Sequence, residues 1–535
     1  MKHKQHFMPL CAIFLLSMTS CGSSNFKEYY NRNWKPGENA LDTEQPVYKN
    51  PVGEYNLLHK MRRTQDQVGL PSKGKANLLV VPLQFQSDES ISAVDVIISD
   101  EDRTALKEVY FSEQLEQYPS VRSYYATSSF GKLNLSGVVS PVVTLPDAYV
   151  NYLLKMSISS KEKVLNEILE YVYQYLFVET ETYYIGDFDS DNDHRIDAIS
   201  LILNYPYEIA FGDDTLTSLH QSFADVNDVY FSNDIENIET CPVNSFSILP
   251  DSFRKNHYDG LDSREYIRLI GQMIGLDQYE DRTVNPQSGT IRAPLAFSDI
   301  ISGGIGDHNA FSKYQLGWIE PTCIKASDIK ETKTITIKSS ITSGDCILLY
   351  MGKQSMFGEY LMIDLYSPNE GVNQFDSQVP SIYGKTLWNQ EAVRVYQVDA
   401  RLVQGYGDRY FDCSTTSFDG MATLENGKVP YRYDYAYTNQ SVNPYQTSGY
   451  QNYALVSLLS KTGSNRHLTY FNTAFTVFDL FLQGDTFGDE SQIDGFYHNF
   501  RFHGFTNNQP ELQISFVIDE IKDGEATITF RRVEA

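Results

Sequence analysis

The sequence predicts an α+β fold in two parts, a mixed α/β domain over 75–321 followed by an all-β, sandwich-like region over 322–535. Three observations lead there. Lys75–Phe85 (KANLLVVPLQF) has the length and residue types of a buried strand, and Ser159–Phe177 carries Val164, Leu165, Ile168, Leu169, Val172 and Leu176 at helical spacing. Beyond Lys325 the texture changes to short alternating runs, as strands half-covered by a core require. A chain of 535 residues with 41% hydrophobic and 13% aromatic content can fill more than one core and is not a disordered polymer. Tyr and Phe outnumber Trp by 38 and 30 to 3, which suits a β-rich extracellular protein. The formal net charge of −26 sets the chain against nucleic acid and anionic membrane surfaces as direct partners.

The N-terminus reads as a processing signal. Lys2 and Lys4 precede an apolar stretch, Phe7–Met18, interrupted by Pro9, and Met18-Thr19-Ser20-Cys21-Gly22 follows. The apolar run is too short for a permanent membrane span. Small residues before a cysteine are similar to a bacterial lipoprotein signal, so 1–20 is expected to be removed and Cys21 to carry the lipid. An ordinary cleaved signal with Cys21 incidental is the alternative. The lipid would tie the protein to a membrane at the bacterial surface or facing the periplasm. Cys241, Cys323, Cys346 and Cys413 remain, with no CxxC pair, which excludes a Cys-rich zinc site and leaves disulfide pairing open.

Residues 21–74 are polar and contain Pro36, Pro46, Pro51 and Pro71, consistent with a tether and an irregular leader against the next domain. After the first strand, Ser120–Val139 predicts a helix, a turn at Gly131 and an alternating strand. Ser159 and Glu162 form a capping-box pattern at the start of the 159–177 helix. Asp187–Leu203 is an acidic turn entering a buried strand. Farther on, Thr334–Ile337, Cys346–Met351, Tyr360–Leu365 and Val393–Val398 are strand-like, and Leu512–Ile518 and Ala526–Phe530 flank the hairpin turn Lys522-Asp523-Gly524-Glu525. The stretch 405–470, rich in Tyr, Ser, Asn and Gly, has no period and predicts long loops.

Two stretches bear on function. In Asp262–Asp281 (DSREYIRLIGQMIGLDQYED), Tyr266, Leu269, Ile270, Met273 and Ile274 define one buried helical face, and Gly275 suits a positive-φ exit. In the acidic turn, Asp189, Asp191, Asp193 and Asp197 occupy positions 1, 3, 5 and 9 of a calcium-type loop, with the Arg195 carbonyl at position 7. Position 6 is His194 in place of Gly, and position 12 is Ser200 in place of Glu. Histidine tolerates the left-handed backbone better than most residues, so the turn can survive the change. The expectation is structural calcium; a solvated acidic turn is the alternative.

Several pieces in order resemble the immune inhibitor A family of secreted bacterial zinc metallopeptidases: LLVVPLQF, SVRSYYATSSFGKLNLSG, the DxDxDxxxID turn, IGQMIGLDQYED, GDHNAFSKYQLGW, GEYLMIDLYSPNEGVNQFDS and VRVYQVDARL. They cover roughly 75–400 of the chain. The resemblance implies a zincin-like catalytic domain followed by a β-rich region. Such a site needs two His one helical turn apart, a Glu beside the first and a third ligand after the Gly turn. Matching Gly271 and Gly275-Leu276 puts Arg268 and Gln272 at the two His positions, Leu269 at the Glu position and Gln278 at the third ligand. Arg offers no lone pair and Leu no base, so zinc and peptidase chemistry are not expected. The register Arg264-Glu265-Tyr266-Ile267-Arg268 keeps the Glu but loses the Gly-Leu match and still has Arg at both ligand positions. Where the family has Asp-Met-Met beneath the metal, this chain has Asp299-Ile300-Ile301.

Arg268 can fill the metal position with its own charge, paired with Glu265 or Asp277; alternatively, Arg268 and Gln272 lie idle on an exposed face. His308, in Gly306-Asp307-His308-Asn309, is expected to be a hydrogen-bonded core residue rather than a ligand. His220 and His257 lack spaced partners, and the ten His contain no HxH and no i, i+4 pair. No nucleophile elbow, Walker loop or dinucleotide fingerprint occurs. The leading expectation is a non-catalytic binding or assembly lipoprotein that takes a peptide, protein or glycan. An active zinc endopeptidase with other ligands, and an adhesin or carbohydrate binder working through the β-rich half, are the alternatives.

Overall fold

The computed structural model describes residues 69–86, 98–113, 115, 118–204, 215–219, 228–231, 235–250, 261–276, 279, 294–350, 359–374, 388–400, 402–406, 410–411, 433–435, 455–462, 475–488 and 514–533. They form a mixed α+β structure with four sheets. Cys21, Gln278, Asp277, His220, His257 and Cys413 lie outside the described residues.

The first sheet is built from β1 (Gly74–Gln86), β2 (Leu133–Val139), β3 (Val143–Ala148), β4 (Ile199–Asn204), β5 (Asp228–Phe231) and β6 (Ser245–Pro250). Its order is β2-β1-β4-β6-β5 with β3 also on β1, and every pairing is parallel except that of edge strand β5 with β6. Strand β1 is central and buried on both faces. Ala76, Leu78 and Val80 enter one core, while Leu79, Val81, Leu83 and Phe85 enter the other. That is why its sequence reads as one apolar run rather than an alternation.

Helices α1 (Asp100–Phe111) and α2 (Val121–Ser128) cover the first face, and α3 (Tyr149–Ile158) and α4 (Lys161–Tyr173) the second. The cap of α4 is one residue later than its sequence suggests. The Ser160 hydroxyl accepts the Lys163 amide at 3.2 Å, while the Ser159 hydroxyl donates back to the Lys155 carbonyl and closes α3. The α-helix ends at Tyr173 and runs on as a π-helical turn, Gln174–Glu179.

Helix α5 (Arg264–Met273) contacts β5, β6, α2 and the 3-10 turn Ile300–Ser302, and α6 (Ala310–Gln315) follows. The second sheet contains β7 (Thr322–Lys325), β9 (Cys346–Tyr350), β10 (Glu359–Tyr366), β11 (Ala392–Asp399) and β15 (Val456–Leu458), in the order β15-β11-β10-β9-β7. Between these in sequence lie β8 (Thr332–Lys338) and a small sheet of β12 (Leu402–Tyr406), β13 (Tyr410–Phe411) and β14 (Tyr433–Tyr435). Strand β8 joins β16 (Thr486–Phe487), β17 (Ile514–Lys522) and β18 (Glu525–Arg532) in an antiparallel sheet ordered β16-β17-β18-β8. Its β17–β18 hairpin turns at Asp523 and Gly524, both at positive φ, as the Asp-Gly pair predicts.

The cores show how the layers stack. Leu361, Ile363 and Leu365 of β10 face Phe516, Ile518 and Ile528 of the antiparallel sheet. Tyr360, Met362 and Tyr366 of the same strand join the core that contains α5 and the first face of β1. One continuous hydrophobic cluster therefore runs from β1 through α5 to the second sheet, across the sequence boundary near 321. The leader's last residues belong to it: Leu70 and Ser72 are buried, and the Trp318 indole donates to the Ser72 carbonyl at 2.7 Å. Short strands also occur within 405–470, where composition alone predicts loops.

Candidate functional site

Helix α5 lies in the middle of that shared core. Every residue from Tyr266 to Met273 is buried, including Arg268 (3% exposed) and Gln272 (7%). The alternative of two idle polar residues on an open face is overturned: the helix is covered on each side at these positions, so Arg268 and Gln272 do not face water. Leu269 is fully enclosed in apolar surroundings. Arg268 Nε lies 3.4 Å from Glu265 Oε2, one of its two expected ion partners; Glu265 itself is half exposed. Gln272 Nε2 is buried without a hydrogen-bond partner among the described residues.

The helix leaves as the sequence predicts. Gly275 has φ +113°, its amide reaches the Gln272 carbonyl, and the Leu276 amide reaches the Gly271 carbonyl, both at 3.0 Å. These are the two bonds of a Schellman ending. Gly271 is needed for a different reason. A Cβ there would run into the Ile301 Cδ1 methyl and sit 3.1 Å from the Tyr125 hydroxyl, which donates to the Ile267 carbonyl at 2.6 Å. The Asp299-Ile300-Ile301 turn therefore lies directly against the helix position between Arg268 and Gln272.

Asp299 organises that turn. Its Oδ1 accepts the Ile301 amide at 2.8 Å and lies 3.3 Å from His308 Nδ1. Its Oδ2 accepts the Asn309 amide at 2.7 Å and the Asn309 side-chain amide at 2.8 Å, with the Ser312 hydroxyl at 3.1 Å. Burial pushes the Asp299 carboxyl up, but the charge and hydrogen bond of His308 and the two backbone amides outweigh it and hold the group below its usual range. The His308 ring lies among Tyr124, Tyr125 and Trp318 at 5.7–5.9 Å between centroids. His308 is thus a hydrogen-bonded core residue, as expected. Asp307, beside it, accepts from Ser128, the His308 amide and the Lys313 ammonium, and its amide donates to Asn373.

The acidic turn is differently made. Phe188 is buried in the second core, and the Asp197 amide donates to the Phe188 carbonyl, closing the loop at its base. Asn192 and His194 both adopt left-handed backbone, at φ 60° and 68°, so His194 does take the conformation for which Gly is usual. Asp189 accepts the Asp193 and His194 amides, and Asp197 Oδ2 accepts the Ser190 amide at 3.0 Å. Carboxylate oxygens of Asp189, Asp191 and Asp197 lie within 4.8 Å of one another, the one such His/Cys/Asp/Glu group among the described residues.

The fourth aspartate behaves otherwise. Asp193 Oδ1 accepts the Arg195 amide at 2.9 Å, and Oδ2 accepts Asn244 Nδ2 at 2.9 Å. Asp197 is buried, and its Oδ1 has no hydrogen-bond partner among the described residues. Burial, with the charges of Asp191 and Asp193 nearby, pushes its carboxyl up to about 8. Burial raises Asp193 as well. A hard cation at this place would replace the missing donors and neutralise the repulsion, and an oxygen-only donor set suits Ca²⁺ rather than zinc.

Cys241, Cys323 and Cys346 are free thiols, so no disulfide joins the described cysteines. No helix among the described residues is long and apolar enough to cross a membrane. No family model matches the chain, and no curated protein matches it at a significant level.

Proposed function

We propose that this chain is a lipid-anchored surface protein built on a zincin-like scaffold with a β-sandwich behind it, and that it binds or assembles rather than cleaves. The observation that carries this reading is the occupancy of helix α5. Arg268 and Gln272 stand one turn apart, both buried, where a zinc peptidase needs two imidazoles, and Leu269 stands where it needs a base. A guanidinium carries a permanent positive charge and has no lone pair for a metal. The close seat of Ile301 against Gly271 supports the idea that the scaffold was kept while its chemistry was replaced. Calcium in the acidic turn is part of the same reading, with Asp189, Asp191 and Asp197 as ligands and a structural role. The ligand would be a peptide, protein or glycan.

Metal analysis of the purified protein, paired with a protease assay with and without chelator, tests the reading. The expected result is no stoichiometric zinc and no chelator-sensitive cleavage. One zinc per chain together with cleavage that chelator abolishes would overturn it in favour of an active peptidase.

A further inference from the structure

The acidic turn has fewer ion-facing oxygens than its sequence advertises. Asp193 at position 5 has its two oxygens engaged by Arg195 and Asn244. Ser200 at position 12 is fully buried within β4, its hydroxyl 2.7 Å from the Tyr110 hydroxyl and 3.0 Å from the Ser247 hydroxyl. It points into a hydroxyl cluster of the sheet and cannot deliver the two oxygens that a position-12 Glu provides. Asp189, Asp191 and Asp197 remain as the grouped side chains, short of the six to eight oxygens that Ca²⁺ gathers.

Two buried acceptors lie beside this loop without donors among the described residues: Asp197 Oδ1 and Asn244 Oδ1. Both residues are at most 2% exposed, so water does not reach them from the surface. Asn244 sits just before β6 and is fixed there by its backbone amide, which donates to the Ile196 carbonyl at 2.8 Å, next to the Ile196–Val243 bridge. Its Nδ2 grips Asp193 Oδ2. The flipped amide would set oxygen against carboxylate, so the orientation is determined by the chemistry of the pair. The oxygen head is therefore held at the edge of the acidic loop, buried and unanswered.

We propose that Asn244, outside the loop, completes the cation site by supplying an oxygen ligand in place of position 12; this rests on the calcium reading above. Asn244 then has two tasks. Its nitrogen holds Asp193 in place, and its oxygen turns to the ion together with Asp197 Oδ1. A neutral amide oxygen adds a ligand without adding another charge to three crowded carboxylates.

Calorimetric titration of Ca²⁺ into the full-length protein and its variants tests this. The wild type is expected to bind one ion at the loop, and Asp191→Asn to weaken it. Asn244→Ala should bind at least about tenfold more weakly, while Asp193→Asn, which removes the carboxylate held by Nδ2 and leaves the Asn244 oxygen in place, should weaken binding less. If Asp193→Asn weakens binding as much as Asn244→Ala, the residue only positions Asp193 and the inference is overturned. Wild-type affinity in Asn244→Ala overturns it equally. Absence of binding by the wild type, or binding insensitive to Asp191→Asn, removes the calcium reading itself. Circular dichroism without Ca²⁺ checks that each variant is folded, and Asn244→Ser gives a smaller substitution where Asn244→Ala is not.

Discussion

The acidic turn and helix α5 are two charged places in one molecule with opposite electrostatic solutions. At the turn, carboxylates crowd together, one of them buried, and acceptor oxygens are left without donors. At the helix, a buried guanidinium stands beside a carboxylate of its own chain, within a helix that joins the shared hydrophobic core. The first place leaves buried acceptors that a cation from outside would satisfy. The second carries its positive charge covalently. The contrast teaches that a fixed Arg side chain and a bound ion are two ways of answering the same need for positive charge among buried groups.

The largest expected effect bears on how closed the helix is. Gly271→Leu would drive a side chain into Ile301 and toward Tyr125, whose hydroxyl is already committed to the Ile267 carbonyl. Overpacking of this kind should cost on the order of 3 kcal/mol, read as a shift in the denaturant midpoint. A cost below about 1 kcal/mol would mean that the turn and helix do not meet tightly, and the contrast between a closed site and an open one would weaken.

The acidic turn should respond to pH and Ca²⁺ instead. In the cation-free protein the Asp197 carboxyl, raised by burial to about 8, holds its proton over a range where the unfolded chain, with an ordinary value near 3.8, has released it. The unfolded state binds fewer protons in that window, so this contribution to stability is full below about pH 4 and falls as pH rises toward 8. Asp197→Asn should flatten that part of the stability–pH curve. Calcium competes with the proton, so its stabilisation should grow with pH, reaching about 1.4 kcal/mol at tenfold excess over Kd. Thermal melts of both proteins across pH 4–9, with and without Ca²⁺, check this; an unchanged slope in Asp197→Asn would refute the assignment.

How much of this was legible depended on whether the signal was local. The central strand showed itself because burial on both faces turns its middle, Leu78–Leu83, into an unbroken apolar run. The Asp523-Gly524 turn was legible because both residues need positive φ. The α4 cap was misread by one residue because two adjacent serines each satisfy a different helix, one ending and one beginning. Burial of Arg268 and Gln272 was not legible, since periodicity reports one covered face and α5 is covered all round from Tyr266 to Met273. The spacing of the aspartates marked the turn, but Asn244 comes from the bend just before β6, 47 residues beyond Asp197, and carries no motif. The short strands of 405–470 left no period in a Tyr- and Ser-rich stretch.

The smallest effect sharpens what Arg268 does. Its carboxylate partner Glu265 is 51% exposed, whereas the pair of Arg394 with Asp364 is enclosed at both ends and bidentate, with three aromatic rings around the guanidinium. If the Arg268 charge is satisfied by the interior rather than by that single carboxylate, Glu265→Gln should cost at most about 0.5 kcal/mol. Asp364→Asn, by comparison, removes the charge from a fully buried partner and should cost several-fold more. Denaturant melts of the two variants side by side give the ratio. A large loss from Glu265→Gln would identify Glu265 as the group that answers the buried Arg268 charge; a small one would assign that to the enclosed surroundings of the side chain, which is the reading the buried helix favours.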